Sequence, residues 1–225
     1  MGTGEGVRPL QPFRRGASPS ALLKVCVPFI GVMLAGCAAG PLRDVEARVV
    51  PASAWGSVPA EPGRMKPHVV ERITLHHGGV PYRRDRVTAE YLQSLQAWSR
   101  REKGWADVPY HYVIDPAGVI HEGRPIAYAG DTNTDYDPTG HALVVVLGNF
   151  EDEEPTAAQL EAAVDAMAMI AARHGVPPER ITGHKDHSGQ TVCPGRNLAR
   201  FLENGWFRAR VEARAGPLTS RHKPP

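Results

Sequence analysis

Short strand-like runs alternate along this chain with segments whose apolar residues recur at helical spacing, and this alternation restricts the fold class. Residues 142–147 are continuously apolar, as in a central strand covered on both faces, and residues 72–77 alternate like a strand. Residues 88–103 have the period of a helix, and Thr156 and Gln159 have the spacing of a capping box that begins another helix. The alternation predicts an α/β fold with a mixed central β-sheet flanked by helices. Shorter patterns predict strands at residues 110–114, 119–121 and 180–183 and a last helix at residues 197–210.

The first 36 residues have the organisation of a bacterial lipoprotein signal peptide. Basic residues precede an apolar run at residues 25–35, which is shorter than the roughly 20 residues that a membrane-spanning helix needs. The run ends in Leu-Ala-Gly-Cys, which resembles a lipobox whose cysteine, Cys37, becomes the acylated, palmitate-carrying first residue of the mature protein. An ordinary secretory signal that contains a cysteine is the alternative. Because Ala38 is not the aspartate associated with inner-membrane retention, the lipobox predicts a lipid anchor in the outer membrane, facing the periplasm of a bacterial cell envelope.

These signals divide the chain into four predicted parts. Residues 1–36 are the signal peptide, and residues 37–67 are the lipidated N-terminus and a proline-rich tether that joins the folded domain near Trp55. Residues 68–210 form the folded domain, and residues 211–225 are a flexible C-terminal tail.

The cysteine count gives one residue a special status. Cys26 lies in the removed segment and Cys37 carries lipid, so Cys193 has no disulfide partner within the mature chain. A lone thiol in an oxidising compartment needs another reason to be there, and metal ligation is one such reason.

Three potential metal ligands lie at the end of a predicted strand or in the loop just after it. They are His76, His184 and Cys193. Side chains at strand ends are exposed at one edge of a sheet, where sites in α/β proteins usually form. Two imidazoles and a thiolate suit Zn²⁺, and three protein ligands leave a fourth position for water, as in catalytic zinc sites. The spacing alone is weak evidence, because the chain has 10 histidines and structural or surface histidines remain the alternative.

Four sequence segments occur in an order that is typical of one family. They are ITLHHGGV at 73–80, GWADVPYHYVIDPAGVIHEGRP at 104–125, LVVVLGNF at 143–150 and GHKDHSGQTVCPG at 183–195. In that order they resemble the type-2 N-acetylmuramoyl-L-alanine amidases, a family that includes the peptidoglycan recognition proteins. The resemblance covers residues 72–206, and with the lipobox it is most like the outer-membrane lipoprotein amidases.

The resemblance implies a peptidoglycan recognition protein-like fold with a zinc site at one edge of the sheet. It implies that residues 68–210 are a zinc amidase domain that hydrolyses the amide bond between N-acetylmuramic acid and L-alanine. Peptidoglycan or its muropeptide fragments are then the substrate, in cell-wall degradation, remodelling or recycling. The family's zinc ligands fall on His76, His184 and Cys193, its catalytic tyrosine falls on Tyr110, and its other active-site position falls on Thr191.

The sequence also departs from the family pattern at two places. The segment from His184 to Cys193 is one residue longer than in the recognition proteins, and Thr139, Gly140 and His141 replace the family's Asn-Ser before the apolar strand. We expect the first departure to bulge the loop, and the second changes residues next to the strand that borders the substrate groove in the family.

Histidines beside the motifs receive different expectations. His77 and His111 neighbour site residues but should point to the opposite side of a strand, so we expect structural roles. The pattern assigns no role to His141. For His187 two alternatives remain open, contact with the substrate or no functional role.

Two other functions compete with the amidase. One is a non-catalytic lipoprotein that binds peptidoglycan, and the other is a peptidase with Cys193 as nucleophile.

The charge balance argues against a nucleic-acid partner, since Lys and Arg total 26, Asp and Glu total 24, and nucleic-acid binders usually carry a basic excess. We expect a monomer.

Overall fold

The computed structural model describes residues 41–61, 63–83 and 85–216. The predicted signal peptide, the lipidation site Cys37 and residues 217–225 of the predicted tail lie outside the described residues. No helix in the described ranges combines the length and the apolar character needed to cross a membrane.

Five strands form one mixed sheet in the order β3-β2-β4-β1-β5. Only β2 and β3 are antiparallel, and the other neighbours are parallel. The prediction of a mixed α/β fold is therefore confirmed. The strands are β1 (Arg72–His77), β2 (Tyr112–Ile114), β3 (Ile120–Glu122), β4 (His141–Val146) and β5 (Ile181–Gly183). The helices are α1 (Pro41–Arg48), α2 (Thr88–Glu102), α3 (Ala157–His174), α4 (Arg196–Glu203) and α5 (Trp206–Ala215).

The two faces of the sheet bury different helices. Val144 and Val146 of β4 belong to the larger core, which contains the apolar side of α3. Val145 points the other way and joins a smaller core with Leu92 of α2 and Trp55. Alternate side chains of a strand point to opposite faces. Because His76 is paired with Val145 in the parallel register, His76 lies on the α2 side of the sheet.

The start of α3 is a capping box, as the sequence predicts. The side chain of Thr156 accepts from the backbone N–H of Gln159, and the side chain of Gln159 accepts from the backbone N–H of Thr156, both at 3.1 Å.

The C-terminal helix is interrupted where the sequence predicts continuity. Gly205 adopts a left-handed conformation with φ of +77°, which ends the first helix and begins the second. The predicted flexible tail is wrong for residues 211–215, because α5 continues to Ala215. Val211 is buried there, and Arg214 forms an ion pair with Glu161 of α3.

The predicted tether is also wrong for the described part of residues 37–67. Helix α1 packs against α3 and α5 and buries Val45. Val50 bridges to the edge strand β3, where its N–H donates to the carbonyl of Ile120 at 2.9 Å. The Trp55 side chain is 1% exposed, and its indole N–H donates to the carbonyl of Glu122 at 2.6 Å. The segment is part of the folded domain.

Replacing Val45 by alanine should lower the free energy of unfolding by about 2 kcal/mol. The substitution removes two buried methyl groups and leaves a cavity in their place. Val58→Ala is the matched control in the same segment, since the Val58 side chain is 59% exposed. We expect the control to stay within about 0.5 kcal/mol of the parent in urea unfolding. Equal effects of the two substitutions would restore the tether interpretation.

Candidate metal centre

The three predicted ligands meet at the carboxyl end of the parallel strands. His76 is the penultimate residue of β1, and His184 follows β5 directly. Leu75 of β1 pairs with Gly183 of β5 in the parallel register, and each is followed in the chain by a histidine of the cluster. Cys193 comes from the loop before α4, and the potential ligand atoms of the three residues all lie within 4.8 Å of one another.

The side chains are buried and close to one another. The Cys193 sulfur lies 3.6 Å from Nδ1 of His76, and the rings of His76 and His184 are 4.6 Å apart. The backbone N–H of His77 donates to the sulfur at 3.3 Å. The other ring nitrogen of His76, Nε2, is buried and has no hydrogen-bond partner among the described residues. The missing partner is unusual, since buried polar atoms are usually hydrogen-bonded.

Burial determines the charge of these groups. Burial and the neighbouring His184 hold the pKa of His76 well below its ordinary value, and burial together with His187 lowers the pKa of His184 to about 4. Both imidazoles are therefore neutral near pH 7, which is the form that binds metals. Burial raises the pKa of the Cys193 thiol to about 12. Reactive cysteine nucleophiles have lowered pKa values, so this environment does not support the cysteine peptidase alternative.

A groove of about 410 Å³ leads to the three ligands. One wall is apolar and comes mainly from α2, and the other is polar and comes from a loop at residues 131–139, here called the wall loop. The apolar wall consists of Tyr91, Leu95, Trp98 and Trp105, and the polar wall of Asp131, Thr132, Asn133 and Thr134. The sequence motifs pointed to neither wall.

Tyr110 lies beside the ligands, as expected. Its ring centre is 5.3 Å from that of His76, and its side chain lines the groove. No described residue hydrogen-bonds its hydroxyl. Burial raises the pKa of Tyr110, so the hydroxyl stays protonated at neutral pH and is available as a donor.

Thr191 also lines the groove. Its hydroxyl oxygen accepts from the backbone N–H of Cys193 at 3.1 Å. The hydroxyl proton is not used in that contact, so it can be donated towards a bound molecule.

Among the other histidines in the described ranges, His77 lines the groove and the rest lie outside its lining. His77 Nδ1 accepts from the backbone N–H of Phe150 at 3.2 Å, and both ring nitrogens of His111 contact backbone groups. These contacts fit the structural roles expected for both. The rings of His141 and His187 pack edge to face at 4.6 Å, and each is hydrogen-bonded to a threonine hydroxyl at 2.8 Å. We find no substrate-facing position for either.

Comparison with known proteins shows that the chain is similar to N-acetylmuramoyl-L-alanine amidases and peptidoglycan recognition proteins. A family model described as N-acetylmuramoyl-L-alanine amidase matches residues 66–196. N-acetylmuramoyl-L-alanine amidase of Sus scrofa is 30% identical over 178 residues, which are 76% of this chain and 29% of the pig protein. Peptidoglycan recognition protein 1 of Bos indicus is 28% identical over 181 residues, which are 78% of this chain and 93% of that protein.

The fold is similar to solved structures of peptidoglycan recognition proteins. A human peptidoglycan recognition protein in complex with glycosamyl muramyl pentapeptide superposes with a TM-score of 0.61 at 20% identity, covering 69% of this chain and 94% of that one. The similarity confirms the predicted peptidoglycan recognition protein-like fold.

Proposed function

The chain belongs to the N-acetylmuramoyl-L-alanine amidase family, and on that premise we propose that it is a zinc-dependent enzyme. The reaction is hydrolysis of the amide bond between the lactyl group of N-acetylmuramic acid and L-alanine in peptidoglycan or its fragments. The observation that carries the proposal is the convergence of His76, His184, Cys193 and Tyr110 at one end of one groove.

The donor set fits Zn²⁺. Two neutral imidazoles and a thiolate are the kinds of ligand that zinc prefers, and three ligands leave one position open. Cys193 would release its thiol proton to solvent when the zinc–sulfur bond forms. Ordinary zinc–sulfur and zinc–nitrogen bond lengths place the two ligand atoms about 3.5 Å apart around a tetrahedral ion. The separation between Cys193 Sγ and His76 Nδ1 is 3.6 Å. His76, His184 and Cys193 would hold the ion.

The groove residues have separate roles in the proposed reaction. When bound, zinc supplies Lewis acidity and a water of lowered pKa. Tyr110 donates a hydrogen bond to the scissile carbonyl oxygen, where negative charge develops, and Thr191 makes a weaker contact of the same kind. The aromatic side chains of the α2 wall cover apolar faces of the substrate, and the hydroxyl and amide groups of the wall loop bind its polar groups. The products are a lactyl carboxylate and a peptide with a free L-alanine amine.

Peptidoglycan recognition proteins offer the second candidate function, a non-catalytic lipoprotein that binds muropeptides. Several relatives carry that family name, and a structural neighbour is complexed with glycosamyl muramyl pentapeptide. The complete ligand set beside Tyr110 favours the enzyme, since binding alone needs neither a metal position nor a donor at the carbonyl. Turnover of a defined muropeptide separates the two functions.

On the basis of the lipobox, we propose that the enzyme is anchored to the outer membrane through lipid on Cys37. We expect it to be a monomer. Cys37→Ser should abolish lipid attachment and release the protein from membranes, because stable anchoring needs at least two lipid signals and an acylated lipoprotein cysteine carries several chains. Cys26→Ser, in the predicted cleaved segment, is the control and should fractionate like the parent. Unchanged membrane fractionation of Cys37→Ser would mean that the segment is an ordinary signal or a retained anchor.

A further inference from the structure

The two histidine ligands are held in different ways. His76 belongs to β1, which has a hydrogen-bonded neighbour on each side, so the sheet fixes its backbone. His184 follows β5, a three-residue strand at the edge of the sheet, and begins a short 3-10 turn. The orientation of the His184 imidazole therefore depends on contacts outside the sheet.

The wall loop supplies such a contact. Thr134 Oγ1 lies 2.7 Å from Nε2 of His184, and Thr132 Oγ1 lies 2.8 Å from Thr134 Oγ1. The backbone N–H of Thr134 also donates to Thr132 Oγ1 at 3.1 Å. By contrast, Nε2 of His76 has no hydrogen-bond partner among the described residues.

One direction of these hydrogen bonds satisfies both threonine hydroxyls and leaves Nδ1 of His184 free. Thr132 Oγ1 already accepts from the backbone and has a second lone pair, which can accept the hydroxyl proton of Thr134. The oxygen of Thr134 then presents a lone pair to Nε2 of His184. That arrangement requires a proton on Nε2 and leaves Nδ1 with its lone pair free.

We propose that Thr134 is a positioning residue, whose hydroxyl accepts the Nε2–H of His184 and thereby holds the imidazole in the tautomer that offers Nδ1 to the metal. This inference rests on the proposed zinc function. Metal-binding histidines almost always donate their other N–H to an acceptor, and loss of that partner typically weakens metal binding by 10- to 100-fold.

The wall loop is itself fixed at both sides of Thr134. Asp131 pairs with the buried Arg124, whose guanidinium also donates to three backbone carbonyls. Asp135 accepts from the hydroxyl of Ser188, which lies in the loop between His184 and Cys193. These contacts fix the position of the Thr134 hydroxyl relative to the ligands.

The test compares Thr134→Val, which removes the hydroxyl at nearly constant volume, with Thr134→Ser, which keeps it. Thr139→Val is the matched control, because Thr139 lies in the same loop and contacts Lys66 and Asp137 rather than a ligand. The readouts are the zinc dissociation constant of the mature protein, from competition with a chromophoric chelator, and the absorption spectrum of the cobalt-substituted protein.

We expect Thr134→Val to bind zinc about 10- to 100-fold more weakly and to shift the cobalt spectrum. Thr134→Ser and Thr139→Val should bind zinc like the parent with unshifted spectra. Parent-like zinc affinity and spectrum in Thr134→Val would overturn the inference while leaving the zinc function standing. A parent protein that binds no zinc would overturn both.

Discussion

Chelation of the mature protein should reduce hydrolysis of a defined muropeptide to the uncatalysed rate, and added Zn²⁺ should restore it. Within the described ranges, His76, His184 and Cys193 are the one cluster of three residues arranged to hold a metal, so no second described site could replace it. Elemental analysis should find one zinc ion per chain before chelation and none after it.

His76→Ala provides the genetic counterpart of this experiment. It should leave too few ligands for firm zinc binding, so added zinc should not rescue it. His174→Ala is the control, because His174 ends α3 and does not line the groove. Full activity of a sample shown to be free of metal would remove zinc from the account.

Tyr110→Phe should lower kcat by roughly 100- to 1,000-fold, which is the usual cost of losing one donor to a developing oxyanion. KM should change less, because the interaction strengthens as charge develops on the carbonyl oxygen. The substitution removes only the hydroxyl, so zinc content and the free energy of unfolding should stay close to those of the parent. Thr191→Val should show a smaller loss of the same kind.

Single-turnover rates normalised to zinc content check this prediction. Tyr128→Phe is the matched control, since Tyr128 lies outside the groove lining. If Tyr110→Phe cleaves muropeptides at the parent rate with full zinc, Tyr110 is a packing residue next to His76.

The strands were predictable because their signals are local, whereas the candidate ligands were assigned from the resemblance to the family. Residues 72–77 alternate as a strand must, and the sheet places His76 where that pattern ends. The sequence could not reveal that β1 and β5 are neighbours, which is why spacing alone left structural histidines as an alternative. Strand order depends on contacts between distant segments, and the family motifs supplied this information in its place.

The predictions of a tether and of one continuous C-terminal helix were wrong because the features responsible leave no periodic pattern in the sequence. Val45 and Trp55 bind residues 41–61 to the domain as single anchors in a proline-rich stretch, so the segment resembled a tether. Gly205 interrupts a helical pattern only because its φ is positive, and a glycine can also lie inside a helix.

The contact between Thr134 and His184 was outside the reach of sequence reasoning. It joins a loop to a ligand 50 residues away. Threonine is common in loops, and nothing in the local sequence distinguishes a hydroxyl that faces a ligand from one that faces water.

Hydrolysis of a defined muropeptide in ¹⁸O-labelled water, followed by mass spectrometry, tests the central claim most directly. The account predicts two products, a muramic acid saccharide with ¹⁸O in its lactyl carboxylate and an unlabelled peptide that begins with L-alanine. Both products should disappear on chelation. Intact muropeptide after incubation with the zinc-loaded protein, or label at a sugar or at a peptide bond, would contradict the account.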